Sequence, residues 1–76
     1  METKREYLLN KRVQQMLRSL SQDGWSVERS NGSLSNVMVY VLHHARNHKY
    51  LRVHINNYVI TWRTLTDKII KTEEVR

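Results

Sequence analysis

The sequence predicts a small α+β domain: an N-terminal helix, a three- or four-stranded antiparallel sheet and a closing helix, in the order α-β-β-β-(β)-α. Three observations carry that expectation. Residues 3–22 repeat apolar side chains at helical spacing. Residues 25–62 instead form short β-rich runs separated by Asn- and Gly-bearing turns. Residues 65–74 place Leu65, Ile69 and Ile70 on a second helical stripe.

In the first helix the stripe is Leu9, Val13, Met16, Leu17 and Leu20. Thr3 and Glu6 have the spacing of a capping box, and Gly24 suits the left-handed residue that ends a helix. Lys4, Lys11 and Arg18 recur every seven residues on the opposite side, close to two helical turns. Such a row either tracks a phosphate backbone or is simply a solvated face.

Trp25 to Arg29 alternates as a strand, with Trp25 and Val27 on one face. Ser30-Asn31-Gly32-Ser33 is expected as a tight turn, since Asn-Gly tolerates positive φ. Val37 to Leu42 is apolar on both faces, as in a central strand. Val37, Val39 and Val41 are expected to meet the helices, leaving Met38, Tyr40 and Leu42 to be covered by a partner or by long neighbouring side chains. A loop over 43–49 follows, then a strand from Tyr50 to Ile55, with Leu51, Val53 and Ile55 inward and Tyr50, Arg52 and His54 outward. Asn56-Asn57 signals a turn before a short strand or extended lead-in at 58–62. Thr64 with Asp67 is a cap-like pair for the closing helix, expected from about Leu65 to Glu74.

At 76 residues the chain makes one domain, 1–76, with no room for a deep interdomain cleft. A chain this short buries only roughly 60% of its unfolded surface, so any site lies on a surface, a loop or a dimer interface. Cysteine is absent, which removes disulfides and thiolate chemistry and fits a reducing compartment. Residues 1–6 lead into an amphipathic pattern and no apolar run reaches membrane-spanning length, so a cytoplasmic location and no membrane partner are expected.

Thirteen Lys and Arg oppose seven Asp and Glu, a net charge of +6. From Arg29 through Thr66 there is no acid, while Arg29, Arg46, Lys49, Arg52, Arg63 and all four histidines fall in that span. An acid-free sheet region points to an anionic partner: nucleic acid, RNA before DNA, or an acidic protein. The candidate nucleic-acid contacts are Lys11, Arg18, Arg29, Arg46, Lys49, Arg52 and Arg63 for phosphates, with Tyr40, Tyr50 and His54 for stacking or sugar contacts. The competing use of Met38, Tyr40 and Leu42 is a homodimer interface.

His43, His44 and His48 lie close in sequence, but with no cysteine and no nearby acid they do not make a zinc set, and no metal or other cofactor is expected. There is no nucleophile elbow, no phosphate-cradling glycine loop and no paired-carboxylate pattern. Metal-independent RNA cleavage needs only a base, an acid and cations around the phosphorane, for which His43, His44 and His54 are the candidates beside their ordinary reading as strand-end and loop histidines.

Leu17-x-x-Leu20 before Asp23-Gly24-Trp25, then Arg29-x-x-Gly32-Ser33, an apolar strand, Val53-His54, and Thr64-Leu65 before Ile69-Ile70, is similar to HicA-type toxins over residues 13–72. The resemblance implies a helix, three-stranded sheet, helix fold like a double-stranded-RNA-binding domain, contact with RNA and an antitoxin partner. That family continues its Gly-Ser with a catalytic histidine, and here the position is Leu34. The resemblance therefore implies RNA binding and undercuts cleavage, unless His43 or His44 reaches the same groove. The expected function is a basic nucleic-acid-binding, foremost RNA-binding, domain, with enzymatic activity left open. The alternatives are a phage- or plasmid-type regulator docking on an acidic host protein, and a HicA-like ribonuclease.

Overall fold

The computed structural model describes residues 3–75; Met1 and Glu2, the start of the stretch read against a leader, and Arg76 lie outside them. One helix, α1 (Lys4–Gln22), precedes five strands: β1 (Trp25–Gly32), β2 (Val37–His44), β3 (Lys49–Asn56), β4 (Val59–Arg63) and β5 (Ile69–Glu74). The strands form one antiparallel meander in the order β1-β2-β3-β4-β5. The fold is α+β, as expected, but with five strands and no closing helix among the described residues.

The capping box at the start of α1 forms in both directions: the Glu6 amide donates to Thr3 Oγ1 at 3.1 Å and the Thr3 amide to the Glu6 carboxylate at 3.4 Å. At the other end Gly24 takes φ 98°, a conformation that glycine adopts at little cost. The buried face of α1 is Leu9, Val13 and Met16, with Leu17 and Leu20 beside it. It covers one face of the sheet, built from Tyr40, Leu42, Leu51, Val53, Ile55, Ile60 and Trp62, and Val75 closes the core. A two-pronged ion pair ties α1 to β5: Arg12 Nε and a terminal nitrogen donate to the two Glu73 oxygens at 2.6 and 2.8 Å.

The facing of β2 is the reverse of the expectation. Met38, Tyr40 and Leu42 stand opposite Ile55, Val53 and Leu51, so they share the helix-covered face. Val37, Val39 and Val41 point away from the helix with Asn56, His54 and Arg52. With both faces of β2 apolar, pattern alone does not choose a face. The choice is made by the turn at residues 45–48, which pairs His44 with Lys49; a shift of one residue would exchange the two faces.

The expected closing helix is instead a hairpin. Thr64 and Asp67 do act together, but as a turn: the Asp67 amide donates to the Thr64 carbonyl at 3.0 Å and the Lys68 amide to Thr64 Oγ1 at 3.1 Å. Asp67 sits at φ 69°, which stops a helix and turns the chain back. Ile69, Ile70 and Thr72 are β-branched, which suits a strand, and Ile69 and Thr72 pair with Arg63 and Thr61 of β4. Two other boundaries move. β1 runs through Gly32, so the first hairpin turns at residues 33–36, and His43 and His44 belong to β2 rather than to a loop. The lead-in at 58–62 is a strand, entered by a two-residue turn with Asn57 and Tyr58 at φ 52° and 64°.

Candidate nucleic-acid interface

Since α1 covers one face of the sheet, the other is open. Strand pairing arranges it in rows running across the strands. One row is Arg29, Val41, Arg52, Arg63 and Ile69. The next is Asn31, Val39, His54, Thr61 and Thr72. A third holds Ser26, His43 and Tyr50, and a fourth Val37, Asn56, Val59 and Glu74. Arg29 enters its row through the β-bulge between Val27 and Arg29, which shifts the register of β1.

The valines form the middle of this face, and cations and rings surround them. His43 and Tyr50 stack with centroids 4.6 Å apart and planes 27° apart. Arg52 and Arg63 stand opposite each other on neighbouring strands, with Asp67 reaching over from the β4–β5 turn at 3.7 and 3.1 Å. His54 lies beside them, and burial, then the charges of Arg52 and Arg63, lower its pKa below the ordinary histidine value, with Asp67 opposing. The neutral ring both donates and accepts hydrogen bonds. His54 Nε2 and Arg63 Nε are buried without a hydrogen-bond partner, and both side chains line a shallow depression with Val37, Asn56, Val59 and Thr61.

The expected contacts divide among several places. Arg29, Tyr50, Arg52, His54 and Arg63 share the open face. Arg46 lies in the β2–β3 turn and Lys49 at the start of β3, both exposed at one end of the sheet. Lys11 and Arg18 lie on the outward side of α1, across the sheet from the open face, around a hollow of about 620 Å³ shared with Tyr7 and Gln14. A solvated helix ordinarily shows such a cationic side. A sheet face with half-buried valines, an exposed Val37 and aligned arginines is less ordinary and is the better candidate.

Tyr40 leaves the set. It is buried beneath α1, and that burial raises its phenol pKa. The same placement corrects the expected dimer face, because Met38, Tyr40 and Leu42 are covered by the chain's own helix.

The histidines separate by role. His44 is buried, faces Trp25 edge-on at 5.2 Å and spends both ring nitrogens on backbone: the Asn47 amide donates to Nδ1 at 3.2 Å, so Nε2 carries the proton and donates to the Asp23 carbonyl at 2.8 Å. This ring locks the end of α1 to the β2–β3 turn. His43 and His54 share the open face, but His54 is four residues along β3 from Tyr50, the neighbour of His43, a separation of about 13 Å. They do not reach one phosphate together. Among the described residues no three His, Asp or Glu side chains converge as a metal site requires, and no helix is long and apolar enough to cross a membrane.

Sequence reasoning missed Val39, Val41, Thr61 and Asp67 as members of this face. Strand pattern alone directs the valines to the core, and the Thr64–Asp67 spacing suits a helix cap. Compared with models of known protein families, with curated proteins and with solved structures, the chain matches none of them.

Proposed function

We propose that this chain is a small RNA-binding domain that holds an unpaired strand on the open face of its sheet. The observation that carries the reading is the row Arg29, Arg52, Arg63 next to the stacked His43–Tyr50 pair, around half-buried valines. Guanidiniums take phosphate oxygens in pairs, and rings accept the faces of unstacked bases. A flat face with rings suits single-stranded RNA, because bases in a duplex do not present their faces.

The test is a salt titration of binding to single-stranded RNA, duplex RNA and duplex DNA, with the RNA checked for shortening. Preference for single-stranded RNA that persists at ~0.2 M salt supports the reading, since charge alone weakens steeply by then. Equal, salt-abolished binding to all three contradicts it. Shortened RNA would assign cleavage to His54, the histidine beside the two arginines.

A second reading is favoured by one contact. The arginine pair already holds a carboxylate, that of Asp67. An acidic protein surface that presents Asp or Glu over an apolar centre would fit the same face. It predicts a stable complex with an acidic protein and nucleic-acid binding no stronger than net charge explains.

A further inference from the structure

We propose that Arg52, Arg63 and His54 form a phosphate subsite on the open face, and that the Asp67 carboxylate occupies it as an internal stand-in that a ligand phosphate displaces. The natural ligand, a phosphodiester, rests on the RNA reading; the chemistry of the subsite does not.

Two arginines directly opposite each other on adjacent strands repel unless an anion lies between them. Asp67 supplies one, yet it satisfies the cluster only in part. Its Oδ1 lies 3.1 Å from an Arg63 terminal nitrogen and 3.7 Å from an Arg52 terminal nitrogen. Arg63 Nε, which can only donate, is left buried without a partner, as is His54 Nε2. Two guanidiniums against one carboxylate also leave a positive remainder. A tetrahedral phosphate offers more acceptor oxygens than a carboxylate reaching in from one side, and suits the fork of Arg63 with the neighbouring His54.

Asp67 is built to be displaced. Its side chain is 56% exposed, against 30% and 28% for Arg52 and Arg63. Exposed ion pairs are weak, so little opposes its exchange for a ligand anion. The turn itself is held by backbone and by Thr64: the Thr64 amide donates to the Lys68 carbonyl at 2.9 Å, and Thr64 Oγ1 accepts from Lys68. The carboxylate can therefore leave without unfolding the hairpin.

The test compares the full chain with Asp67→Asn, Glu28→Gln and Arg63→Lys. Asn tolerates the left-handed backbone at 67, so the first change removes the charge and keeps the turn. Glu28→Gln makes the same net-charge change at the β1 bulge. Inorganic phosphate is titrated while the Arg63 Nε–H and His54 ring signals are followed by NMR, and a short single-stranded RNA is titrated by fluorescence anisotropy. Asp67→Asn is expected to bind both about three- to tenfold tighter, the scale of one or two exposed ion pairs, and well beyond the gain in Glu28→Gln. Arg63→Lys is expected to bind both more weakly, since it keeps the charge and loses the fork. Equal gains in Asp67→Asn and Glu28→Gln overturn the subsite, and if RNA still binds, the RNA reading survives it. A phosphate response at Arg63 and His54, strengthened in Asp67→Asn, with no RNA binding keeps the subsite and removes the RNA reading. A poly-glutamate peptide that outcompetes both phosphate and RNA overturns the phosphate assignment in favour of a carboxylate-bearing partner.

Discussion

Arg52 on β3 and Arg63 on β4 are cross-strand partners on the uncovered face of the sheet, like charges in adjacent positions where repulsion ordinarily selects against them. One carboxylate, that of Asp67, offsets part of this repulsion, and the remaining positive charge favours whatever brings negative charge to that face. It is the reason to place function here and not on the outward side of α1.

Each of these arginines should count in the salt dependence of RNA binding. For single-stranded RNA, Arg52→Ala and Arg63→Ala should each reduce the slope of log affinity against log salt by about 0.7. Lys11→Ala and Arg18→Ala, on the far side of the molecule, should leave the slope near the wild-type value. Anisotropy titrations at several salt concentrations measure all four.

The Arg12–Glu73 pair should make stability depend on pH. The hydrogen bonds from Arg12 hold the Glu73 carboxyl below its ordinary value of 4.5, so the folded state binds this proton less readily than the unfolded state. The stabilisation is complete above the unfolded value and is lost as pH falls through the lower folded value. Glu73→Gln should cost about 1 kcal/mol near pH 7 and flatten the decline below about pH 5. Urea unfolding across that range reads both effects.

The histidines should divide cleanly. His44→Ala should destabilise the fold by about 1–3 kcal/mol, because the Asp23 carbonyl and Asn47 amide lose their partner. His43→Ala should leave the urea midpoint nearly unchanged and weaken RNA binding through the lost ring stack.

A third contrast separates core from interface. Ile60 is fully buried under α1, and Ile60→Ala should cost about 2–5 kcal/mol, a large share of the stability of so small a domain. Val39, on the open face, should tolerate alanine at well under half that cost while RNA affinity falls. Urea midpoints and RNA titrations of the two variants give the comparison.

Helix α1, its capping box and its glycine stop were legible in the sequence because their signals are local: Thr3, Glu6 and Gly24 act on neighbours within one turn. The facing of β3 was legible too, since Leu51, Val53 and Ile55 alternate with Tyr50, Arg52 and His54. The facing of β2 was not, because Val39 and Tyr40 are both acceptable inside and only the pairing of His44 with Lys49 decides between them. β5 was lost for a related reason. Leu65, Ile69 and Ile70 fit helical spacing, and the positive φ of Asp67 that forbids a helix has no unique sequence mark. Thus the shared facing of Tyr50, Arg52 and His54 follows from alternation, and charge alone marks Arg29 and Arg63, whereas the bulge that brings Arg29 to this face, the valine centre and Asp67 needed the register.

The most direct measurement maps backbone amide shifts of the labelled protein on adding a short single-stranded RNA at ~0.1 M salt. The open face and the outward side of α1 lie on opposite sides of the domain, so the map distinguishes them without any substitution. Shifts concentrated at Arg29, Val39, Val41, Tyr50, Arg52, His54, Thr61 and Arg63, with Asp67 among the largest, are the predicted result. Shifts concentrated around Lys11, Gln14 and Arg18, with the open face silent, would contradict the account.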